Sequence, residues 1–199
     1  MIKNIVFDIG SVLISYRYIE MMTDIGYSLE DATRIGEEIF AGGLWDDFDA
    51  GLLQLDYVLE FYKEKFPKDA EGIEYMLKNP ELMMKKREAV WDKMHRIKES
   101  GKYKFYILSN YSEVMLKAHT DGLPFWGDFD GGVISYEVKC LKPSPDIYKA
   151  LFDKYNLNPS ECIFLDDRIE NVEGSKAVGM DAIQILSPEH MLKVLDQFI

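Results

Sequence analysis

Four short stretches of this 199-residue chain end in side chains that suit one kind of chemistry. "IVFD" closes on Asp8, "FYILSN" on Ser109 and Asn110, "VKCLKP" carries Lys142, and "IFLDD" closes on Asp166 and Asp167. A carboxylate such as Asp8 can attack phosphorus and carry the phosphoryl group as an aspartyl-phosphate. Mg²⁺ is a hard ion that takes oxygen ligands, and it would screen the repulsion between Asp8 and a phosphate dianion. Asp166 and Asp167 fit such an ion, because adjacent carboxylates repel unless something positive sits between them. Ser109 and backbone amides would hold phosphoryl oxygens, with Asn110 beside them, and Lys142 would neutralise Asp8 and the phosphate together. Taken singly, each has a plainer reading. A strand-ending Asp is usually a loop carboxylate, a Ser-Asn pair a turn or cap, and a lone Lys a solvated charge. The four together carry the argument.

The elements that would bring these residues together are short, continuous apolar runs: Ile5 to Phe7, Phe105 to Leu108, Val133 to Ile134, Ile163 to Leu165 and Ala182 to Ile185. Runs that do not alternate are expected of parallel strands covered by helices on both faces. Helical signals fall between them. Ser144 and Ser187 precede Pro145 and Pro188, a cap followed by a proline at the first helical position, and an apolar stripe follows each. The reading is an α/β doubly wound parallel sheet, with bound ligand expected at the carboxyl ends of its strands.

Residues from about Tyr16 to Lys86 differ in texture. Ser28 with Asp31 starts one helix, "QLDYVLEFYKEKF" and the stretch after Pro67 give others, and no strand is expected between them. "GGLWDDFDAG" is expected to be a glycine-bracketed turn containing Asp46, Asp47 and Asp49, and Pro80 to Ser100 a long helix with "KKR" (85–87) on its solvated face. The simplest organisation is a core of residues 1–15 and 87–199 with a small all-helical insertion at 16–86. Trp45, Phe48 and Tyr16 are candidates to line the cleft between the two.

Bulk composition excludes several function classes. With 35 acidic against 23 basic side chains, the net charge of −12 repels phosphate backbones, so no nucleic-acid partner is expected. No apolar stretch approaches membrane-spanning length, so no membrane partner is expected either. "MIKNIVF" is interrupted too soon by Asp8 for a signal peptide, and Cys140 and Cys162 have neither redox nor zinc spacing. A cytoplasmic protein with buried free thiols is expected. His95, His119 and His190 show no spacing for a metal site, and oligomeric state is not legible.

The ordered set "VFDIGSVL", "ILSN", "KCLKP" and "FLDD", spanning residues 5 to 167, resembles the four motifs of the haloacid dehalogenase superfamily, a group dominated by phosphohydrolases. "LWDDFDAG" resembles a cap segment of one subgroup, and "DDRIEN" a fourth-motif extension. The resemblance implies a Rossmann-like core, a helical cap inserted after the first strand, Mg²⁺ as cofactor, and a small phosphorylated metabolite as partner. It assigns Asp8, Lys142 and Ser109 to catalysis, Ser109, Asn110 and Lys142 to substrate, and Asp8, Gly10, Asp166 and Asp167 to metal.

Gly10 is where this chain departs from the pattern. Family phosphatases carry a second carboxylate there as general acid and base, a service worth roughly 10²–10⁴-fold. Glycine keeps the backbone carbonyl that the pattern gives to the metal but cannot move a proton. The D-x-G-x-V form of the first motif resembles a subgroup that includes glucose-1-phosphatase-like enzymes, so a sugar phosphate is among the expected substrates. Its less basic anomeric leaving group needs less protonation, and a cap acid, Asp46 or Asp47 first, could stand in. Two alternatives remain at this level: a non-catalytic phospholigand-binding or interaction protein on the same scaffold, and a 2-haloacid dehalogenase, for which the expected arginine near the nucleophile is present only as a loosely placed Arg17.

Overall fold

The computed structural model describes residues 1–199. Its strands are β1 (Asn4–Phe7), β2 (Ile14–Tyr16), β3 (Met84–Lys86), β4 (Lys104–Ser109), β5 (Gly131–Ile134), β6 (Cys162–Asp166) and β7 (Asp181–Gln184). Five form one parallel sheet in the order β5-β4-β1-β6-β7. The chain moves from β1 outward through β4 and β5, then returns to lay β6 and β7 on the other side. That reversal opens a crevice at the carboxyl end of β1, the position where open α/β sheets bind ligands.

The sheet buries both faces, which is why its strands read as unbroken apolar runs. Ile5, Phe7, Phe105, Ile107, Ile163 and Leu165 join a cluster of 37 buried residues on one side. Val6, Tyr106, Leu108 and Phe164, the alternate positions, join a cluster of 13 on the other. Helices α6 (Glu88–Glu99) and α11 (Pro188–Leu195) contribute to the larger cluster, and α9 (Pro145–Tyr155) and α10 (Ile169–Ala177) to the smaller. The expected caps form. Ser28, Ser144 and Ser187 accept from the backbone N–H groups of Asp31, Asp146 and His190. No helix is long and apolar enough to cross a membrane.

Between β2 and β3 lie five helices, α1 (Tyr18–Asp24), α2 (Leu29–Phe40), α3 (Leu44–Asp49), α4 (Leu55–Lys65) and α5 (Ala70–Lys78). The short helices α7 (Glu113–Thr120) and α8 (Ser135–Val138) follow β4 and β5. The apolar faces of the five-helix insert share the larger cluster with the sheet, through Met22, Ile35, Ile39, Val58 and Met76.

Four local expectations are corrected. Pro80–Ser100 is not one helix: a 3-10 turn (Pro80–Met83) leads into β3, and α6 begins only at Glu88. β3 pairs antiparallel with β2, Tyr16 opposite Met84 and Ile14 opposite Lys86, so strands do flank the insert. "KKR" is therefore not a helix face, and Arg87 is tied inward by bonds from Nε to Ser15 Oγ (2.7 Å) and from its terminal nitrogen to the Val12 carbonyl (3.2 Å). "GGLWDDFDAG" is a turn only at its ends, since Leu44–Asp49 is the helix α3.

Candidate active site

Parallel register places the reactive groups. Phe7 stands opposite Ile107 on β4 and Leu165 on β6, so the next residue, Asp8, emerges beside Leu108 and Asp166 and one step short of Ser109. Ser109 Oγ donates to Asp8 Oδ1 at 2.6 Å, and Lys142 Nζ reaches the same oxygen at 2.8 Å. Lys142 Nζ also lies 2.6 Å from Asp166 Oδ2. All four side chains are buried, Asp166 completely.

Burial alone would strip the charge from Lys142, but Asp166 and Asp8 outweigh it and hold the ammonium protonated. Burial pushes the Asp8 carboxyl up, and Lys142 and Ser109 oppose that shift. Asp166 is saturated: Oδ1 accepts from the Arg168 N–H and from Asn171, and Oδ2 from Lys142 and Asn171. Asn110, expected at the substrate, spends both ends of its amide on the Lys142 main chain, at 2.8 and 3.0 Å. It fixes the loop that carries Lys142, and it also borders the cleft.

Asp167 has the opposite environment. Its carboxylate makes no side-chain hydrogen bond, and burial together with the charges of Asp8 and Asp166 pushes it up to about 7. Oxygens of Asp8, Asp166 and Asp167 lie within 4.8 Å of one another. An unpaired carboxylate facing two others is the donor set that a hard divalent cation such as Mg²⁺ relieves, so these residues fit the ion that the sequence implied.

The phosphate-sized part of the crevice is a polar cleft of about 160 Å³ bordered by Asp8, Gly10, Ser11, Lys142, Asp167 and Arg168 among others. Above Gly10 stands Tyr16. A Cβ built on Gly10 would meet the Tyr16 hydroxyl oxygen at 2.6 Å, so glycine here makes room for a phenol. That hydroxyl donates to the Tyr111 hydroxyl (2.6 Å), which lies 3.0 Å from His119 Nδ1. Burial depresses His119 to about 4, leaving a neutral ring whose Nδ1 can accept.

The cap acids sort differently from expectation. Asp46 borders the cleft, Asp47 does not, and Asp49 borders both the cleft and the apolar cavity beside it. Asp49 Oδ1 accepts the Ser112 N–H at 2.9 Å, while its main-chain carbonyl accepts from Ser135 Oγ at 2.5 Å. Burial, added to by the nearby Asp46, lifts its carboxyl to about 7 against that N–H bond. The sequence places Asp49 in a turn and gives no sign of its role, because its environment is made by Ser112, 63 residues away. Trp45 and Tyr16 line the cleft as expected, whereas Phe48 is buried in the core. Arg17 is not at the nucleophile: it binds Asp24 (2.7 Å) and the Leu82 carbonyl (3.1 Å), so it does not serve the dehalogenase alternative.

Comparison with known proteins agrees with this geometry. A D-ribitol-5-phosphate phosphatase of Bacteroides thetaiotaomicron is 26% identical over 203 residues, 92% of each chain. A sesquiterpene phosphatase of Aspergillus oryzae is 23% identical over 92% of this chain and 89% of its own. Among solved structures, a haloacid dehalogenase family enzyme of Bacteroides thetaiotaomicron in complex with magnesium and inorganic phosphate superposes with a TM-score of 0.71 at 25% identity, covering 92% of this chain and 94% of that one. The haloacid dehalogenase-like hydrolases match as a family over residues 2–179, a span that runs from β1 through the Asp8, Ser109, Lys142 and Asp166–Asp167 constellation to α10. The chain belongs to the haloacid dehalogenase-like hydrolase family.

Proposed function

We propose that the protein is a Mg²⁺-dependent phosphomonoester hydrolase that acts on a small metabolite through an aspartyl-phosphate at Asp8. The observation that carries this reading is the convergence on one carboxylate: Ser109 and Lys142 grip Asp8 Oδ1, and Asp167 stands unpaired across from it. The phosphatase names of full-length relatives support the same class. In this reading the five-helix insert, residues 16–86, serves as a cap over a core of 1–15 and 87–199. Two free cysteines fit a reducing, cytoplasmic setting.

A carboxylate oxygen of Asp8 forms a bond to phosphorus as the ester P–O bond breaks, and the departing alcohol oxygen keeps the electron pair and takes a proton. Water then attacks phosphorus, frees Asp8 and leaves inorganic phosphate. Lys142, neutralised by Asp8 and Asp166 while the site is empty of substrate, offsets the charge of the incoming phosphoryl group. Mg²⁺, held by Asp8, Asp167 and the Gly10 carbonyl, would neutralise phosphoryl oxygens. Asp166 backs the site, holding Lys142 in place. Gly10 has no proton to give. Asp49, on the cap side of the cleft and lifted to about 7, gives its proton to the leaving oxygen and regains one from the attacking water.

Phosphate release from phosphosugars and an activated aryl phosphate, measured with Mg²⁺ and with chelator, tests the reading. Activity should vanish with chelator and in Asp8→Asn. Halide release from a 2-haloacid without metal would replace it with the dehalogenase reading. Silence on every ester, with phosphate still bound, would replace it with a binding role.

A further inference from the structure

Beside the polar cleft lies a second, larger cavity of about 370 Å³. Tyr16, Phe40, Trp45, Asp49 and Asn110 border both, so the polar cleft and this apolar extension adjoin along a shared boundary. The extension is walled by Tyr18, Met83, Tyr111 and Met115, with Phe40 and Trp45 set edge to face against each other (centroids 4.7 Å apart). A cavity of about 150 Å³ suffices to hold benzene in an apolar protein interior. This one is more than twice that size.

Many of its polar atoms are committed, although His119 Nε2 is buried without a hydrogen-bond partner. The Tyr16 hydroxyl gives its proton to Tyr111, Tyr111 pairs with His119, Asn110 is tied to Lys142, and Asp49 holds the Ser112 N–H. A polyol placed here would lose water from all of its hydroxyls and find fewer partners than it gives up, which is costly. No cationic side chain lines the extension, and Glu37 and Asp49 are its acids, so a second anionic group on the ligand would be repelled.

One glycine shapes the wall of the extension. Gly36 lies inside α2, a position where glycine costs helix stability. A Cβ on Gly36 would fall 2.0 Å from the Tyr18 ring, so the glycine lets that ring pack closely against the helix, where it lines the cavity.

We propose that the body of the ester lodges in this extension, and that the substrates are phosphate monoesters of uncharged alcohols with an apolar or aromatic skeleton. This rests on the phosphatase reading of Asp8 and departs from the sugar phosphate that the sequence led us to expect. Asp49, at the junction of the two spaces, then faces the bridging oxygen between phosphorus and the apolar body.

Two measurements on the full-length protein test it. In the first, phosphate release is compared between 2-phenylethyl phosphate and glycerol 3-phosphate, both alkyl esters, with acetyl phosphate as a small reactive control. The expected kcat/KM ratio favours the phenylethyl ester by about 100-fold or more, in keeping with the discrimination that a few methylene-sized contacts give. A polyol ester hydrolysed as well or better overturns the proposal. In the second, 2-naphthylethanol is titrated against the wild-type protein by calorimetry, with glycerol as the blank. Saturable binding is expected, weakened about 10-fold or more in Gly36→Ala, where the Tyr18 ring must move. No binding of the alcohol overturns the proposal whatever the esters do. Binding of the alcohol without phosphate release from any ester, acetyl phosphate included, would overturn the phosphatase reading and leave the cavity's ligand class standing.

Discussion

The two acidic groups lifted to about 7, Asp49 and Asp167, are lifted for different reasons and predict different behaviour. Asp167 is raised by burial and by two neighbouring carboxylates, so the folded chain retains a proton that the unfolded chain releases in the ordinary carboxylate range. Metal-free stability should therefore fall as pH climbs from that range to about 7. Asp167→Asn removes the repulsion. Partial solvent access keeps the gain on the order of 1 kcal/mol at pH 8, about 2–4 °C in Tm, and thermal melts with and without Mg²⁺ read it. The wild type should gain stability from Mg²⁺ and the variant should not. A variant that melts lower than wild type without metal would refute the repulsion. Asp49 is raised mainly by burial and should work as an acid, its protonated form present below about 7 and lost above. For an alkyl phosphate, kcat/KM should decline above that pH, and Asp49→Asn should cost roughly 10²-fold and flatten the decline. For 4-nitrophenyl phosphate, whose leaving group needs no proton, the same variant should cost less than about 10-fold. Equal losses on both esters would assign Asp49 a structural role only.

At the scale of elements, the two-stranded ribbon of β2 and β3 decides where the insert sits. Arg87 pins it, bonding Ser15 Oγ and the Val12 carbonyl across 72 and 75 residues of sequence, and burial lowers its guanidinium below the usual range. Arg87→Ala removes two hydrogen bonds with a charged donor, a loss of about 1–3 kcal/mol by chemical denaturation. KM should rise as well, because Tyr16 and the insert lose their fixed place over Gly10. A drop in stability with KM unchanged would separate the ribbon from substrate binding. The same ribbon marks the limit of what the sequence discloses. Buried parallel strands announce themselves as apolar runs, and each ends where its polar group begins, so Asp8, Ser109 and Asp166 could be aligned by pattern alone. β2 and β3 are three residues each, all but Ile14 at least partly exposed, and exist because they pair with each other. No period of two can be seen in three residues. Tyr16, Tyr111 and His119 form their chain through contacts 8 and 95 residues apart, and nothing local in "SYRY" or "SNYS" announces it. The sequence marks Gly10 for the carboxylate it lacks and says nothing of Gly36, yet each glycine faces a tyrosine ring.

For the whole molecule, charge sets how substrate arrives. The chain carries 35 acidic and 23 basic side chains, and the polar cleft repeats that imbalance, with Asp8, Asp46, Asp49 and Asp167 against Lys142 and Arg168. Lys142 is buried and already paired with Asp8 and Asp166, so the exposed Arg168 is the one cation at the rim that an approaching dianion meets. At about 0.01 M salt the screening length is roughly 30 Å, enough for the full negative field to oppose a phosphate dianion, whereas at 0.15 M it is about 8 Å. The usual salt inhibition of an anion-binding enzyme should therefore be reversed. At saturating Mg²⁺, kcat/KM for a dianionic ester should rise a few-fold over that range while kcat, which reports the bound complex, stays flat. Arg168→Gln should deepen the low-salt deficit and converge on wild type at 0.15 M. A kcat/KM that falls with salt would mean that the local cations and Mg²⁺ outweigh the acidic surface at the distance where encounter is decided.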